Sequence, residues 1–447
     1  MKKVIALLII VALVVSFAAC NKTDQTPASK PEDKPAEKTE KTEEETKEPV
    51  TITVWRHSGK PEEQENIQAQ IAAFNDAHDM ITIEYEVIPE GEYNTQVSAA
   101  ALANGLPDVF MLDGPNMSNY AWAGYLMPLD DYITDEMKND LLPSIIAQAT
   151  YKGSMYAIGS FDSGLALWGN KSYLEAAGVR IPTSAKDAWT LDEFNDALDK
   201  LAALDQVEYP LDLKLNYGQG EWYTYGFSPV VQSFGGDLVN RETMKAEGTM
   251  NGAKSVEALK WFQGLVEKGY INVAQVSDDD FYGPEKKSAL AFVGHWMTMP
   301  HKEGLGDDLV LMPLPKFGDK VVTGMGSWAW AISSTTVDPA AAYEVLSYFT
   351  SAENVEKTAV ATGAVPARKS VLQAVPEYQE GGLLYIFREQ LEGGYAMERP
   401  TTPAYPVITT QFAEAFQNII KGSDVQEQLD KAAKAIDEDI EENNGYQ

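Results

Sequence analysis

Alternation marks the first globular stretch of the chain. Ile52 and Val54 alternate with polar neighbours across Thr51–Trp55, and Ile81, Ile83, Tyr85 and Val87 do the same further on. Period-two patterning predicts a strand at each place. Between them, residues 62–78 carry Ile67, Ile71 and Phe74 at helical spacing. A second helix is predicted over 93–104, and Pro107 then leads into the apolar run Val109-Phe110-Met111-Leu112, read as a buried strand. Strands alternating with helices predict a parallel α/β sheet. Further stripes predict helices whose apolar faces are core: Leu191, Phe194, Leu198 and Leu201; Val256, Leu259, Phe262 and Val266; Val425, Leu429, Ile436 and Ile440. Thr190 and Glu193 have the spacing of a capping box. Asp338-Pro339 offers an N-cap followed by a proline at the first helical position, and Ser423 with Gln426 is expected to cap the last helix. No internal repeat is visible.

The N-terminus follows a different pattern. After Lys2 and Lys3 comes an apolar run, Val4 to Phe17, of 14 residues. That is shorter than the roughly 20 residues a helix needs to span a bilayer, and the order of charged, apolar and small residues is that of a signal peptide over 1–19. Phe17-Ala18-Ala19-Cys20 resembles the bacterial lipobox, with Phe17 standing where that pattern prefers Leu. The resemblance implies that Cys20 becomes lipidated, its acyl chains anchoring the protein, since stable anchoring needs more than one chain. Cys20 is the single cysteine, so no disulfide within the chain is possible. Residues 20–49 are dense in Lys, Glu, Thr and Pro and poor in large apolar side chains. They cannot bury enough surface to offset the entropy of ordering and read as a disordered charged tether. The remaining roughly 400 residues exceed what one core supports, so two lobes are expected.

Charge narrows the partners. With 67 acidic against 35 basic residues the formal net charge is −32, which argues against nucleic acid and anionic lipid surfaces. It leaves a cationic solute, such as a polyamine boxed by carboxylates and tryptophans, as one reading. Catalytic motifs are missing: no G-x-S-x-G, H-E-x-x-H, phosphate-binding loop or dinucleotide fingerprint occurs. His57, His78, His295 and His301 are scattered and suggest no metal site. Asp278-Asp279-Asp280-Phe281-Tyr282-Gly283 begins like a calcium loop, but Tyr282 occupies its fifth position and Ala289 its twelfth, where a bidentate Glu belongs. No cofactor and no metal are expected. A glycoside hydrolase with two nearby carboxylates stays open as a further alternative.

Aromatic residues in turn-rich surroundings are the strongest positive signal: Trp55 at a strand end, Glu221-Trp222-Tyr223-Thr224-Tyr225, Gly294-His295-Trp296 and Gly326-Ser327-Trp328-Ala329-Trp330. Any one tryptophan is more simply core. As a group beyond strand ends they suit a cleft, where flat rings meet the C–H face of a sugar and planar polar groups meet its hydroxyls.

Over 50–447 the chain resembles the bacterial extracellular solute-binding proteins of the maltose-binding-like family, the sugar receptors of ABC importers. The carriers of this resemblance include Ile52-Thr53-Val54-Trp55, Gly105-Leu106-Pro107-Asp108, Gly124-Tyr125-Leu126-Met127-Pro128-Leu129, Phe234-Gly235-Gly236, Met312-Pro313-Leu314-Pro315 and Gly363-Ala364-Val365-Pro366-Ala367-Arg368, in that order. It implies an α/β, two-lobed periplasmic-binding-protein-like fold with a ligand cleft between lobes joined by hinge strands. The lobes would be 50–160 with 313–356 and 161–312 with 357–447, the chain crossing near 160, 312 and 357. It implies a non-enzymatic, monomeric protein that captures a saccharide and docks on membrane permease subunits from the outer face of the cell membrane. Carried over by position, the family's ligand contacts fall at Trp55, Arg56 and His57 after the first strand, at Asp113 and Asn116, and at Asp162 in the first crossing. In the second lobe and late segments they fall at Trp222 or Tyr223, Trp296, Trp328, Arg368 and Arg399. The family's Gly-Pro-Trp appears as Gly294-His295-Trp296, so His295 departs from the pattern.

Overall fold

The computed structural model describes residues 48–447 apart from Gln219. Cys20, the expected signal peptide and almost all of the expected tether lie outside the described residues.

Two sheets organise the chain. In the first, the order is Ile81–Ile88, Val50–His57, Val109–Asp113, Trp328–Ile332 and Ala157–Gly159. The first three of these run parallel, with Val50 opposite Ile81 and His57 opposite Ile88. Trp328–Ile332 lies antiparallel to both of its neighbours, so the sheet is mixed rather than wholly parallel. The reason is connectivity: this strand returns from the other half of the molecule and enters from the opposite end. Ile52 and Val54 point inward and are buried, as the alternation requires. The helix Pro61–Ala77 buries Ile67, Ile71 and Phe74, and Glu90–Leu102 follows, starting earlier than its apolar pattern suggests.

The second sheet has the order Leu309–Met312, Leu165–Asn170, Ser288–Gly294 and Tyr209–Asp212. Its helices include Leu191–Ala202, Glu221–Phe234, Ala253–Glu267, Tyr405–Ile420 and Val425–Glu442. Each sheet is the centre of one lobe. The chain leaves the first sheet at Gly159 and enters the second at Leu165, then returns between Met312 and Trp328. Beside the first passage, Phe161–Asp162 pairs antiparallel with Val365–Pro366. Residue 357 lies inside the helix Ala352–Thr362. That helix is tied to the first lobe, because Asn66 Nδ2 donates to Thr358 Oγ1 (3.1 Å) and Gln70 to the Asn354 carbonyl (3.4 Å).

Two caps form as the sequence requires: the Thr190–Glu193 capping box is complete, and Asp338 accepts from the Ala341 amide with Pro339 at the helix start. The last helix is capped by Asp424 and not by Ser423; the Asp424 carboxylate accepts from the Glu427 amide at 2.9 Å. The tryptophans divide. Trp168, Trp189 and Trp330 are core, whereas Trp55, Trp296 and Trp328 are half-buried. No helix among the described residues is long and apolar enough to cross a membrane.

Candidate functional site

The ends of the strands in the two sheets bring together most of the residues singled out above. At the end of Val50–His57, burial removes Arg56 and His57 from water. The His57 ring stacks on Trp328 at 4.1 Å between centroids, and Tyr93 stands edge-on to both at 6.1 and 5.4 Å. Trp328 is opposite Asp113 in the sheet register, so the stack borders the next strand end. Trp55 is half-buried on the same strand, its carbonyl accepting from the Tyr93 hydroxyl at 3.2 Å. Asn116 lies in the turn Gly114–Asn116 that follows Asp113.

Arg399 joins the lobes. Its guanidinium forks onto Asp113, with Nη1 and Nη2 donating at 3.1 and 3.0 Å to the two oxygens. It also donates to Glu221 Oε1 at 2.5 Å. Its plane lies over Tyr225 at 4.7 Å, a cation–π contact. Glu221 further accepts from the Tyr405 hydroxyl and, at 2.7 Å, from Thr409 Oγ1. Burial works against the charge on Arg399, but Asp113, Tyr405 and Glu221 more than offset it and hold the group firmly protonated. Burial pushes the Glu221 carboxyl up, with Arg399 pulling it back down. The bidentate Asp113 is therefore the principal counter-ion, and Glu221 shares Nη1 with it.

Asp162 sits in the first passage between lobes, fully buried, accepting from the Gly326 amide at 2.9 Å and the Ser163 amide at 2.7 Å. Burial raises its pKa in spite of these donors. Gly326 has φ +89°, and a Cβ there would come within 2.5 Å of Gln148 Oε1, so only glycine lets the returning segment meet Asp162. The Tyr225 hydroxyl donates to Ser163 at 2.8 Å.

Trp296 follows the strand Ser288–Gly294, and its Nε1 donates to the Tyr217 hydroxyl at 3.2 Å. It is edge-on to Trp222 (5.8 Å) and near Tyr225 (6.1 Å). Trp222 is itself buried and donates to the Leu213 carbonyl at 3.1 Å. His295 is buried against the Thr362 carbonyl at 3.0 Å, and burial lowers its pKa to about 4.

Two residues stand apart. Tyr223 packs on Phe416 and Phe227 inside the second lobe. Arg368 donates to the Thr350 carbonyl at 2.7 Å and to Asp140 at 3.3 Å, away from Arg399 and its partners. The physical cause for Tyr223 is helical phase. The stretch from Glu221 reads as turn-like but is the first turn of the buried helix Glu221–Phe234. Glu221 and Tyr225, four apart, share the face toward Arg399, while Tyr223 shares its face with Phe227.

Glu221, Tyr225, Tyr405, Tyr93 and Glu63, whose Oε1 lies 3.5 Å from His57 Nε2, were not among the expected contacts. The four-residue spacing of Glu221 and Tyr225 was a readable signal once a helix is assigned; Tyr405 and Glu63 had none. The acidic run at 278–280 binds protein partners instead of converging: Asp278 Oδ2 holds Lys60 at 2.6 Å, Asp279 accepts from Ser277 at 2.5 Å, and Asp280 accepts from Asn272 at 2.9 Å. Among the described residues no His, Cys, Asp and Glu cluster is arranged to hold a metal ion.

The model of a family described as bacterial extracellular solute-binding proteins matches residues 69–384. A maltotriose-binding protein of Pyrococcus abyssi is 22% identical over 378 residues, 83% of this chain and 77% of its own length. Among solved structures, the GacH receptor of Streptomyces glaucescens, studied unliganded and with acarbose, superposes with a TM-score of 0.75 at 24% identity, covering 89% of this chain and 99% of its own. An ABC substrate-binding protein of Listeria monocytogenes in complex with cycloalternan gives 0.75 at 18% identity, covering 88% and 100%. At such identities the structural likeness bears on the fold, which is the two-lobed α/β fold of those proteins.

Proposed function

This chain belongs to the bacterial extracellular solute-binding proteins, and from that premise we propose that it captures a carbohydrate, specifically an oligosaccharide, between its lobes and delivers it to the membrane subunits of an ABC importer. The family's work is binding, not catalysis. One observation carries the sugar reading: planar hydrogen-bonding groups from both lobes (Asp113, Glu221 and Arg399) lie among ring faces at Trp296, Tyr225 and the His57–Trp328 stack. Relatives whose ligands are maltotriose, acarbose and cycloalternan support it. The proposed ligand contacts are Trp55, Arg56, His57, Asp113, Asn116, Asp162, Trp222, Trp296, Trp328 and Arg399, joined by Glu221 and Tyr225. The proposed lobes are 50–160 with 313–356 and 161–312 with 357–447; the strands that share each sheet support the divisions near 160 and 312, whereas the helix Ala352–Thr362, tied to the first lobe, moves the third division to its own end.

A polyamine is the weaker ligand class. The carboxylates at the centre of the site already hold a cation that the chain supplies, Arg399. Calorimetric titration with oligosaccharides, monosaccharides and spermidine tests the reading. Low-micromolar binding of one oligosaccharide series, about −8 kcal/mol, is expected; a response to spermidine with none to any sugar would overturn it.

We further infer that Cys20 carries the acyl chains that hold the protein, as a monomer, at the outer face of the cell membrane. The apolar run before it and the charged stretch after it support this. Cys20→Ser should release the protein or leave its leader uncut. Unchanged membrane retention and unchanged size would contradict the anchor.

A further inference from the structure

A cavity of about 920 Å³ lies beside the cleft and is lined by none of the proposed ligand contacts. Its size falls within the range of small-molecule sites, about 300–1,000 Å³. The helices Pro143–Ala149, Lys369–Ala374 and Tyr385–Glu392 line it, together with the loop holding Arg241 and Met244, the returning segment at Met325, and residues 396–401.

The chemistry of this wall differs from that of the cleft. Met244, Met325 and Met397 face it with Leu142, Leu372 and Leu391, and no aromatic ring lines it. Its cations have protein partners. Arg241 forks onto Asp237 at 2.7 and 3.1 Å, Arg388 donates to Gln379 Oε1 at 2.9 Å, and Lys369 donates to the Asn139 carbonyl at 2.8 Å. A sugar ring seeks a flat face, and this wall has none; its polar side chains, among them Gln373, Glu398 and Thr401, stand between aliphatic and thioether ones. Flexible thioether and aliphatic side chains adapt to an apolar chain of variable shape. The chamber is continuous with the site: Met325, Glu398 and Thr401 also line a narrow void of about 20 Å³ at Arg399, beside Gly114, Gln148 and Gly326.

We propose that this chamber holds the apolar moiety of the same ligand, so that the preferred solute is a sugar carrying a flexible hydrocarbon-like substituent, such as an alkyl glycoside or an acylated sugar. The proposal rests on the sugar reading for the identity of the ligand's other half. The chamber itself can be tested without any sugar.

The full-length chain is titrated with anilinonaphthalene sulfonate, followed by fluorescence. One saturable site is expected. Ala147→Trp, which projects into the chamber from an exposed helical position, should weaken it at least tenfold. Leu102→Trp, on the exposed surface of another helix, should not, and melting curves check that both variants fold. Absence of saturable dye binding, or equal binding by Ala147→Trp, overturns the chamber whatever the sugar panel shows. Maltotriose is then compared with its octyl glycoside. The octyl compound should bind the native chain at least tenfold more tightly and lose that advantage in Ala147→Trp; equal affinities on the native chain would overturn the assignment of the chamber to the ligand.

Discussion

Arg56, His57 and Glu63 show burial overriding charge. Glu63 Oε1 is 3.7 Å from Arg56 and 3.5 Å from His57, long contacts among side chains largely removed from water. Burial raises the Glu63 pKa to about 7, against the pull of Arg56 and with a push from Glu90. Burial likewise lowers Arg56 despite Glu63, and lowers His57 with Arg56 adding to the effect. Desolvation exceeds the attraction, as expected for a buried pair without close geometry. The linkage has a definite sign. A carboxyl whose folded pKa is about 7 and whose ordinary value is 4.5 binds more protons in the folded state between those values, so stability falls as pH rises through that window. The full effect is on the order of 3 kcal/mol. Glu63→Gln should flatten this decline by that order when urea unfolding is compared at pH 4.5 and pH 8; parallel declines in the two proteins would refute it. Arg399 is the opposite case, because a bidentate partner and a ring face offset its burial.

At the scale of the element, end chemistry and phase decide what a helix contributes. The last helix begins one residue later than its serine suggests, since Asp424 has the extended backbone and the carboxylate that reaches the Glu427 amide. Asp424→Ala should cost about 1 kcal/mol, and Ser423→Ala should stay within about 0.5 kcal/mol. Chemical denaturation of the two variants checks this; equal losses would contradict the assignment. The helix Glu221–Phe234 teaches the same lesson about function. Two aromatic neighbours, Trp222 and Tyr223, diverge by about 100° around the axis, so one meets Trp296 and the other Phe416. Aromatic composition singles out this segment, but only its helical phase selects Glu221 and Tyr225 as partners of Arg399.

Across the whole molecule, the contacts that join the proposed lobes include three beside the cleft. Arg399 binds Asp113, Asn119 Nδ2 donates to the Pro403 carbonyl at 2.7 Å, and Lys60 binds Asp278 at 2.6 Å. The lysine pair is partly solvated, its side chains 32% and 21% exposed, so it contributes no more than about 1 kcal/mol. That is enough to change an open-to-closed ratio about fivefold. Lys60→Ala should therefore enlarge the radius of gyration of the ligand-free chain in X-ray scattering and weaken ligand binding about fivefold. Adding Asp278→Ala should do little more. An unchanged radius and affinity would show that this pair does not tilt closure.

Much of this protein is local. The alternation at Ile52–Val54 and Ile81–Val87, the stripe at Ile67, Ile71 and Phe74, the Thr190–Glu193 box and the Asp338-Pro339 start depend on neighbours within a few residues, and the sequence alone determines them. The order of short motifs likewise identified the two-lobed fold. The centre of the candidate site was legible only in part, because its contacts span great sequence distances: Arg399 meets Asp113 across 286 positions and Glu221 across 178. Among 67 acidic residues, no local pattern distinguishes Glu63 from a solvated carboxylate. Nor does one show that Met244, Met325 and Met397, from three separate segments, enclose one chamber. Packing of the two lobes decided these, since desolvation and hydrogen-bond geometry come into being only where distant segments meet.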